Sequence, residues 1–144
     1  MCVVYAHIVQ SSSTGDPGMN AIAPSFSHFL DSIKADDSPV ALSPQRLAEA
    51  LGLPQQRLAE MARVHRNTVS MAPNSQKLQD ALVDVVRVIS AAHELSGDID
   101  RALFWFRNHP IADFGHRTPM QLVEEGKAQT VIDYIESLSA GASG

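Results

Sequence analysis

Three side chains in the C-terminal third have the types and spacing of a metal site. His109, Asp113 and His116 follow one another at steps of four and three, which on a helix would align groups that can ligate zinc. Pro110 disfavours the helical conformation at His109, and Gly115 interrupts the other end of the segment. We therefore expect no metal site here. We also expect no other cofactor and no catalytic residue in the chain. A small helical enzyme that uses these three side chains remains one of three functional hypotheses, and the other two are given below.

A second set of polar residues has the spacing of a helix-turn-helix. This motif needs a small residue where its two helices cross, here Ala59, and apolar anchors after the turn, here Val64 and Val69. The residues left facing outward can contact phosphates and base edges in a DNA major groove. The predicted DNA contacts are Gln55, Gln56, His65, Arg66, Asn67 and Ser70.

The individual residue types suit this role, although one turn position departs from the usual pattern. The Arg66 guanidinium can form two hydrogen bonds to guanine and the Asn67 amide two to adenine. Arg63 stands where glycine is usual, because the backbone is left-handed there, and the expected strain is about 1 kcal/mol. A plain helical hairpin packed only for stability would show the same apolar pattern.

The charge distribution limits how such a motif can work. The chain has 11 basic and 16 acidic residues and a net charge of −5, which excludes a strongly basic nucleic-acid coat. Residues 40–80 alone carry five basic and three acidic residues. A monomer with so few cations binds DNA weakly, so DNA binding would need at least two copies. A regular apolar stripe could join the copies or could be core: Leu78, Leu82, Val85, Ile89 and Ala92.

The elements that must position these residues are all predicted to be helices. Helical apolar spacing, N-capping residues and helix-breaking glycines predict helices near residues 25–34, 44–51, 54–62, 75–93, 98–107 and 127–139. Thr118-Pro119-Met120-Gln121 predicts another helix that opens with a capping box. In the helix at 98–107, Leu103 and Phe106 are expected on one face and Trp105 on another, with Phe104 also assigned to core or cap. No stretch alternates apolar and polar residues with a period of two, as a half-buried β-strand would. The predicted fold class is therefore all-α.

Composition favours a globular protein of one ordinary or two very small domains. The chain has 144 residues, of which 44% are apolar, and its single cysteine, Cys2, cannot form an internal disulfide. No apolar run approaches the roughly 20 residues that a membrane helix needs. We expect a cytoplasmic protein without membrane contact. The predicted organisation is a flexible N-terminal segment with a short helix (1–39), a helix-turn-helix domain (40–95) and a second helical domain (96–144).

Residues 105–126 carry a recognisable pattern. They read WFRNHPIADFGHRTPMQLVEEG: a tryptophan near the end of one helix, a proline-containing loop, a glycine, and threonine-proline opening a helix that ends in glycine. This pattern resembles the toxin-binding domain of the Xre/MbcA/ParS antitoxins in order and spacing from about Leu103 to Gly141. The helix-turn-helix lies where that family carries one, so the resemblance extends over about 100 residues.

The resemblance implies an Xre-like helix-turn-helix bundle followed by a toxin-binding domain, and hence a type II antitoxin. Its expected partner is a RES-domain toxin that depletes NAD, whose active site the antitoxin covers with its C-terminal segment. A dimer of the antitoxin would bind its own promoter. The toxin contacts implied are Arg117, Thr118, Tyr134, Leu138, Ser139, Ala140 and Gly141.

Two interpretations of the C-terminal half stay open at this point. The small residues of Ser139–Gly144 suggest a tail without fixed structure, which would either become ordered in a partner's cleft or fray as chain ends commonly do. The alternative function is a stand-alone helix-turn-helix transcription regulator whose C-terminal half only dimerises.

Overall fold

The computed structural model describes residues 25–143 of the chain. This part folds into eight α-helices without a strand, which confirms the all-α prediction. The helices are α1 (Phe26–Ile33), α2 (Pro44–Leu51), α3 (Gln55–Ala62), α4 (Arg66–Met71), α5 (Gln76–Ser96), α6 (Ile99–Asn108), α7 (Pro119–Glu124) and α8 (Ala128–Ser143). No helix among them is both long and apolar enough to cross a membrane.

Helix α5 is the centre of the fold and packs against α3, α6, α7 and α8. Its apolar stripe, which the sequence left open as a joint between copies or as core, is core. The five residues of the stripe are at most 1% exposed: Leu78, Leu82, Val85, Ile89 and Ala92. Burying this face from water stabilises the folded state through the hydrophobic effect. One cluster of buried side chains therefore extends across both predicted helical domains.

The first helix joins the same core. Ser25 caps α1 by accepting a hydrogen bond from the His28 amide at 3.1 Å, as its position before the apolar run predicts. Phe29 and Ile33 are 7% and 0% exposed, so the short helix expected near residues 25–34 is packed against the core. The first part of the N-terminal segment, residues 1–24 with Cys2, lies outside the described residues.

The aromatic residues of α6 are placed differently from the expectation. Trp105 and Phe106 are both fully buried, whereas Phe104 is 54% exposed and belongs to neither core nor cap. The reason is that α6 packs against α5 on one side and α7 on another, so two of its faces are covered instead of one. The prediction that placed Trp105 and Phe106 on different faces holds, but both faces are core.

The end of α8 also differs from the expectation. The helix continues through Ser143, so the segment after Leu138 is helical and not a tail without fixed structure. Alanine has the highest helix propensity, and a helix already formed extends at the cost of ordering only one residue at a time. The single Gly141 disfavours this extension by about 1 kcal/mol, which is too little to stop it.

A left-handed glycine marks a contact between distant helices. Gly52 ends α2 with φ of +67°, and a Cβ there would collide with the Arg107 guanidinium, which donates a hydrogen bond to the Leu51 carbonyl. Gly97 ends α5 with φ of +75° and has nothing within 4 Å of a Cβ. The two glycines therefore share the same backbone constraint but differ in their neighbours.

This difference predicts unequal effects of alanine at the two positions. We expect Gly97→Ala to lower the free energy of unfolding by about 1–2 kcal/mol from the left-handed backbone alone. Gly52→Ala should cost about 1–2 kcal/mol more, because Arg107 must also give up its charged hydrogen bond. Urea unfolding of both variants measures the difference, and equal losses would show that the Arg107 contact contributes no stability.

Candidate functional site

The six residues predicted to contact DNA are all exposed, and together we call them the reading face. They lie on α3, at the turn after it and on α4: Gln55, Gln56, His65, Arg66, Asn67 and Ser70. The apolar anchors point the other way: Ala59 is 2% exposed, Val69 is 5% exposed and Val64 packs against the core. The structure thus separates polar from apolar residues here as the sequence predicts.

The turn between α3 and α4 adopts the left-handed backbone that was expected to require glycine. Arg63 has φ of 57° and ψ of 42°, so the about 1 kcal/mol of strain is present. It is offset by satisfied backbone groups, since the Arg63 amide bonds to the Glu60 carbonyl at 3.1 Å and the Val64 amide bonds to the Ala59 carbonyl at 3.0 Å. The turn therefore fixes the direction of α4 relative to α3.

Local hydrogen bonds fix two of the reading-face side chains. His65 is the N-cap of α4, and its Nδ1 accepts a hydrogen bond from the Asn67 amide at 3.1 Å. This hydrogen bond holds the imidazole ring against the first turn of α4. Ser70 Oγ donates to the Asn67 carbonyl at 3.2 Å. The capping role of His65 was missed by sequence reasoning, since histidine is not a preferred N-cap residue.

The residues predicted to contact a toxin begin in a short closed loop. The Ile111 amide bonds to the Arg117 carbonyl at 2.9 Å, and the chain between them contains a 3-10 turn at Ala112–Phe114 followed by left-handed residues at Gly115 and His116. The exposed Arg117 side chain pairs with Glu125 at 2.7 Å. This ion pair holds the guanidinium beside the end of α7.

Thr118 closes the loop with the capping box that the sequence predicts. Its Oγ1 accepts from the Gln121 amide at 3.2 Å, and Gln121 Oε1 accepts from the Thr118 amide at 2.9 Å, with Pro119 in the first helical position. Both orphan amides at the start of α7 are thereby satisfied, and a cap of this kind contributes about 1 kcal/mol. Thr118 is thus a structural residue of α7 in the isolated chain.

Residues of α8 predicted to contact a toxin fall into two groups. Tyr134 and Leu138 are 7% and 5% exposed, so in the isolated chain they belong to the core. Ser139, Ala140 and Gly141 lie on the following exposed turn of α8. The Phe114 and Tyr134 rings meet edge-on with centroids 5.5 Å apart, which attaches the closed loop to α8. The role of all seven residues in toxin binding stays a prediction.

The environment of Tyr134 predicts a pH dependence of stability. Burial raises the pKa of its hydroxyl to about 12, with a smaller contribution in the same direction from the Asp113 carboxylate. Between pH 10 and 12 the unfolded chain loses this proton while the folded chain keeps it, so the folded state loses stability as the pH rises through this window. Urea unfolding at pH 9 and pH 11.5 should show a smaller decline for Tyr134→Phe than for the wild type; identical declines would contradict the assignment.

The three residues considered for zinc are placed in different local structures. The His109 ring stacks on Trp105 with centroids 6.3 Å apart, Asp113 lies in the 3-10 turn and His116 has a left-handed backbone. Among the described residues no group of three or more histidine, cysteine, aspartate or glutamate side chains is placed to hold a metal ion.

An ion pair links α3 to α7. Arg57 of α3 and Glu124 of α7 pair at 3.0 Å, and both side chains are partly buried. Burial raises the pKa of Glu124, the charge of Arg57 opposes that shift, and the nearby Glu60 and Glu125 add to it. Arg107, described above, makes a second link between α6 and α2. Sequence reasoning missed these contacts, because their partners lie far apart in the chain and no local pattern signals them.

Comparison with known proteins assigns the C-terminal part of this arrangement. Residues 91–141 match the family model described as the antitoxin Xre/MbcA/ParS C-terminal toxin-binding domain. The comparisons with curated proteins and with solved structures gave no match. The matched range contains the end of α5, all of α6 and α7, the closed loop, and α8 to Gly141.

Proposed function

We propose, from the match of residues 91–141 to the family model of the Xre/MbcA/ParS antitoxin toxin-binding domain, that this chain neutralises a RES-type, NAD-degrading toxin. The family match supports the antitoxin role and a toxin partner. The RES identity of the toxin comes from the resemblance of residues 103–141, and covering the toxin's active site is the mechanism that this resemblance implies.

The geometry supports a particular way of covering that site. Ser139, Ala140 and Gly141 are exposed, small and already helical, so the end of α8 is a narrow, preformed projection. A preformed segment loses less conformational entropy on binding than a disordered tail does. Tyr134 and Leu138 are buried behind it and act by holding the projection in place, while the exposed Arg117 and its neighbour Thr118 would contact the rim of the toxin's cleft.

The second part of the proposal is autoregulation through promoter DNA. The exposed reading face and its buried anchors have the arrangement by which a helix-turn-helix presents its second helix to a major groove. Arg66 makes no ion pair within the described residues, so its guanidinium needs to break no such contact before binding a base. The low positive charge of residues 40–80 makes a dimer the binding species.

Complex formation with the product of the neighbouring gene tests the antitoxin role. We expect the two purified proteins to co-elute as one species in size-exclusion chromatography, and co-expression to preserve the cellular NAD that the toxin alone depletes. Failure to co-elute, with promoter binding intact, would instead favour the stand-alone transcription regulator.

A further inference from the structure

An apolar groove of about 500 Å³ runs along α5 beside α1 and α8. Leu30 and Leu42 form one wall and Ile132 contributes to the other, while Val83 on α5 is 45% exposed. Val40, at the rim, is 88% exposed. Contiguous exposed apolar surface of this kind marks an interaction site in a globular protein. This face of α5 is separate from the buried stripe that forms the core.

Two charged residues of α5 that line the groove have opposite signs. Arg87 and Glu94 are both exposed and lie seven residues apart, which is two helical turns, with Ser90 and Ala91 at the midpoint. If two α5 helices cross antiparallel at that midpoint, Arg87 of each copy faces Glu94 of the other. A two-fold contact uses the same surface of both copies, so that surface must be self-complementary. The pairing of Arg87 with Glu94 of the other copy meets this condition.

The small residues at the midpoint permit the close approach that this contact needs. Ser90 and Ala91 are partly buried and present little side-chain volume between the two charges. Arg87 also contacts Gln129 at 2.6 Å and Asp84 at 3.5 Å, and Glu136 lies on the α8 side of the groove. The Gln129 and Asp84 contacts orient the guanidinium along the groove rim.

The position of the groove favours a second copy as its occupant. Leu42 lines both this groove and a second pocket that reaches Val69 and Ser70 of α4, so the groove adjoins the reading face. Dimeric helix-turn-helix proteins place two reading helices about one DNA turn apart, and an interface beside those helices sets that separation directly. Resting on the proposed DNA-binding function, we propose that a second copy of this chain docks two-fold in the groove, with two reciprocal Arg87–Glu94 pairs.

Charge reversal in the full chain tests this interface. The wild type should be a dimer in sedimentation equilibrium, and Arg87→Glu or Glu94→Arg alone should weaken dimerisation about tenfold or more, because two attractive pairs become repulsive. An equimolar mixture of the two single variants should form dimers again, as should the double variant, since each restores opposite charges across the interface. Lys77→Glu, on the same helix but outside the groove, is the matched control and should dimerise normally.

Other occupants give different results, each of which overturns the proposal. Residues 1–24 in the groove, or a toxin bound there, would leave the wild type monomeric at all concentrations. A mixture of single variants that stays monomeric would show that Arg87 and Glu94 do not face each other. The proposed function is measured separately: a monomer that still co-elutes with the toxin would refute the interface and leave the antitoxin role standing.

Discussion

Replacing Arg66 and Asn67 with alanine should abolish promoter binding while toxin neutralisation survives. Both side chains are exposed on the reading face, so their removal leaves the core unchanged. Each bidentate contact to a base contributes about 1–3 kcal/mol, and a dimer would lose both contacts twice. Affinity for the promoter should therefore fall by at least about a thousandfold, which fluorescence anisotropy at fixed salt concentration measures.

The matched control removes one positively charged side chain and one side-chain amide outside the reading face. Lys34 and Asn108 are also exposed and lie at the end of α1 and of α6, outside the reading face. The Lys34→Ala, Asn108→Ala double variant should keep promoter affinity within about threefold, as the loss of a single charge outside the reading face predicts. Equal losses for the two double variants would show that only net charge matters and that the reading face has no base contacts.

Truncation after Leu138 should have the opposite effect, removing toxin neutralisation while promoter binding is kept. Ser139, Ala140 and Gly141 are exposed, whereas the buried Leu138 is retained. The truncated chain should thus unfold within about 1 kcal/mol of the wild type, as expected for loss of surface residues. Survival of cells that co-express the toxin measures neutralisation. If the truncated chain protects them, the projection does not cover the toxin's active site.

Two substitutions at Gly141 test whether toxin neutralisation depends on the narrow shape of the projection. Gly141 is exposed and nothing lies within 4 Å of a Cβ at this position, so alanine fits the isolated chain and a larger side chain starts from open space. Gly141→Ala should neutralise the toxin and stabilise the helix by about 0.5–1 kcal/mol. Gly141→Trp should fold normally but fail to enter a narrow cleft, so a tryptophan variant that neutralises the toxin would contradict the fit.

The features that could be predicted from sequence are those set by neighbours in the chain. The Thr118–Gln121 capping box, the Ser25 cap and the left-handed Arg63 each depend on a few consecutive residues, and the structure has all three. The separation of the reading face from Val64 and Val69 follows from helical periodicity in the same way.

Features that depend on how distant helices pack together could not be predicted from the sequence. Periodicity shows that a helix has an apolar face, but it does not show whether a neighbouring helix or a second copy covers that face, so the role of the α5 stripe stayed open until its burial was known. The burial of Tyr134 and Leu138, the exposure of Phe104 and the Arg57–Glu124 pair all depend on where distant helices meet.

Because α5 lies at the centre of the fold, it limits where two related chains can be joined to exchange their recognition specificity. The family match starts at residue 91, inside α5, whose earlier turns bury Leu78 and Leu82. A chimera joined at that boundary would replace only the last turns of α5, and its recognition specificity would depend on whether the foreign segment fits the host core. Recombination should therefore take α5 whole, together with the helices that pack on it, so the exchangeable unit is larger than residues 91–141.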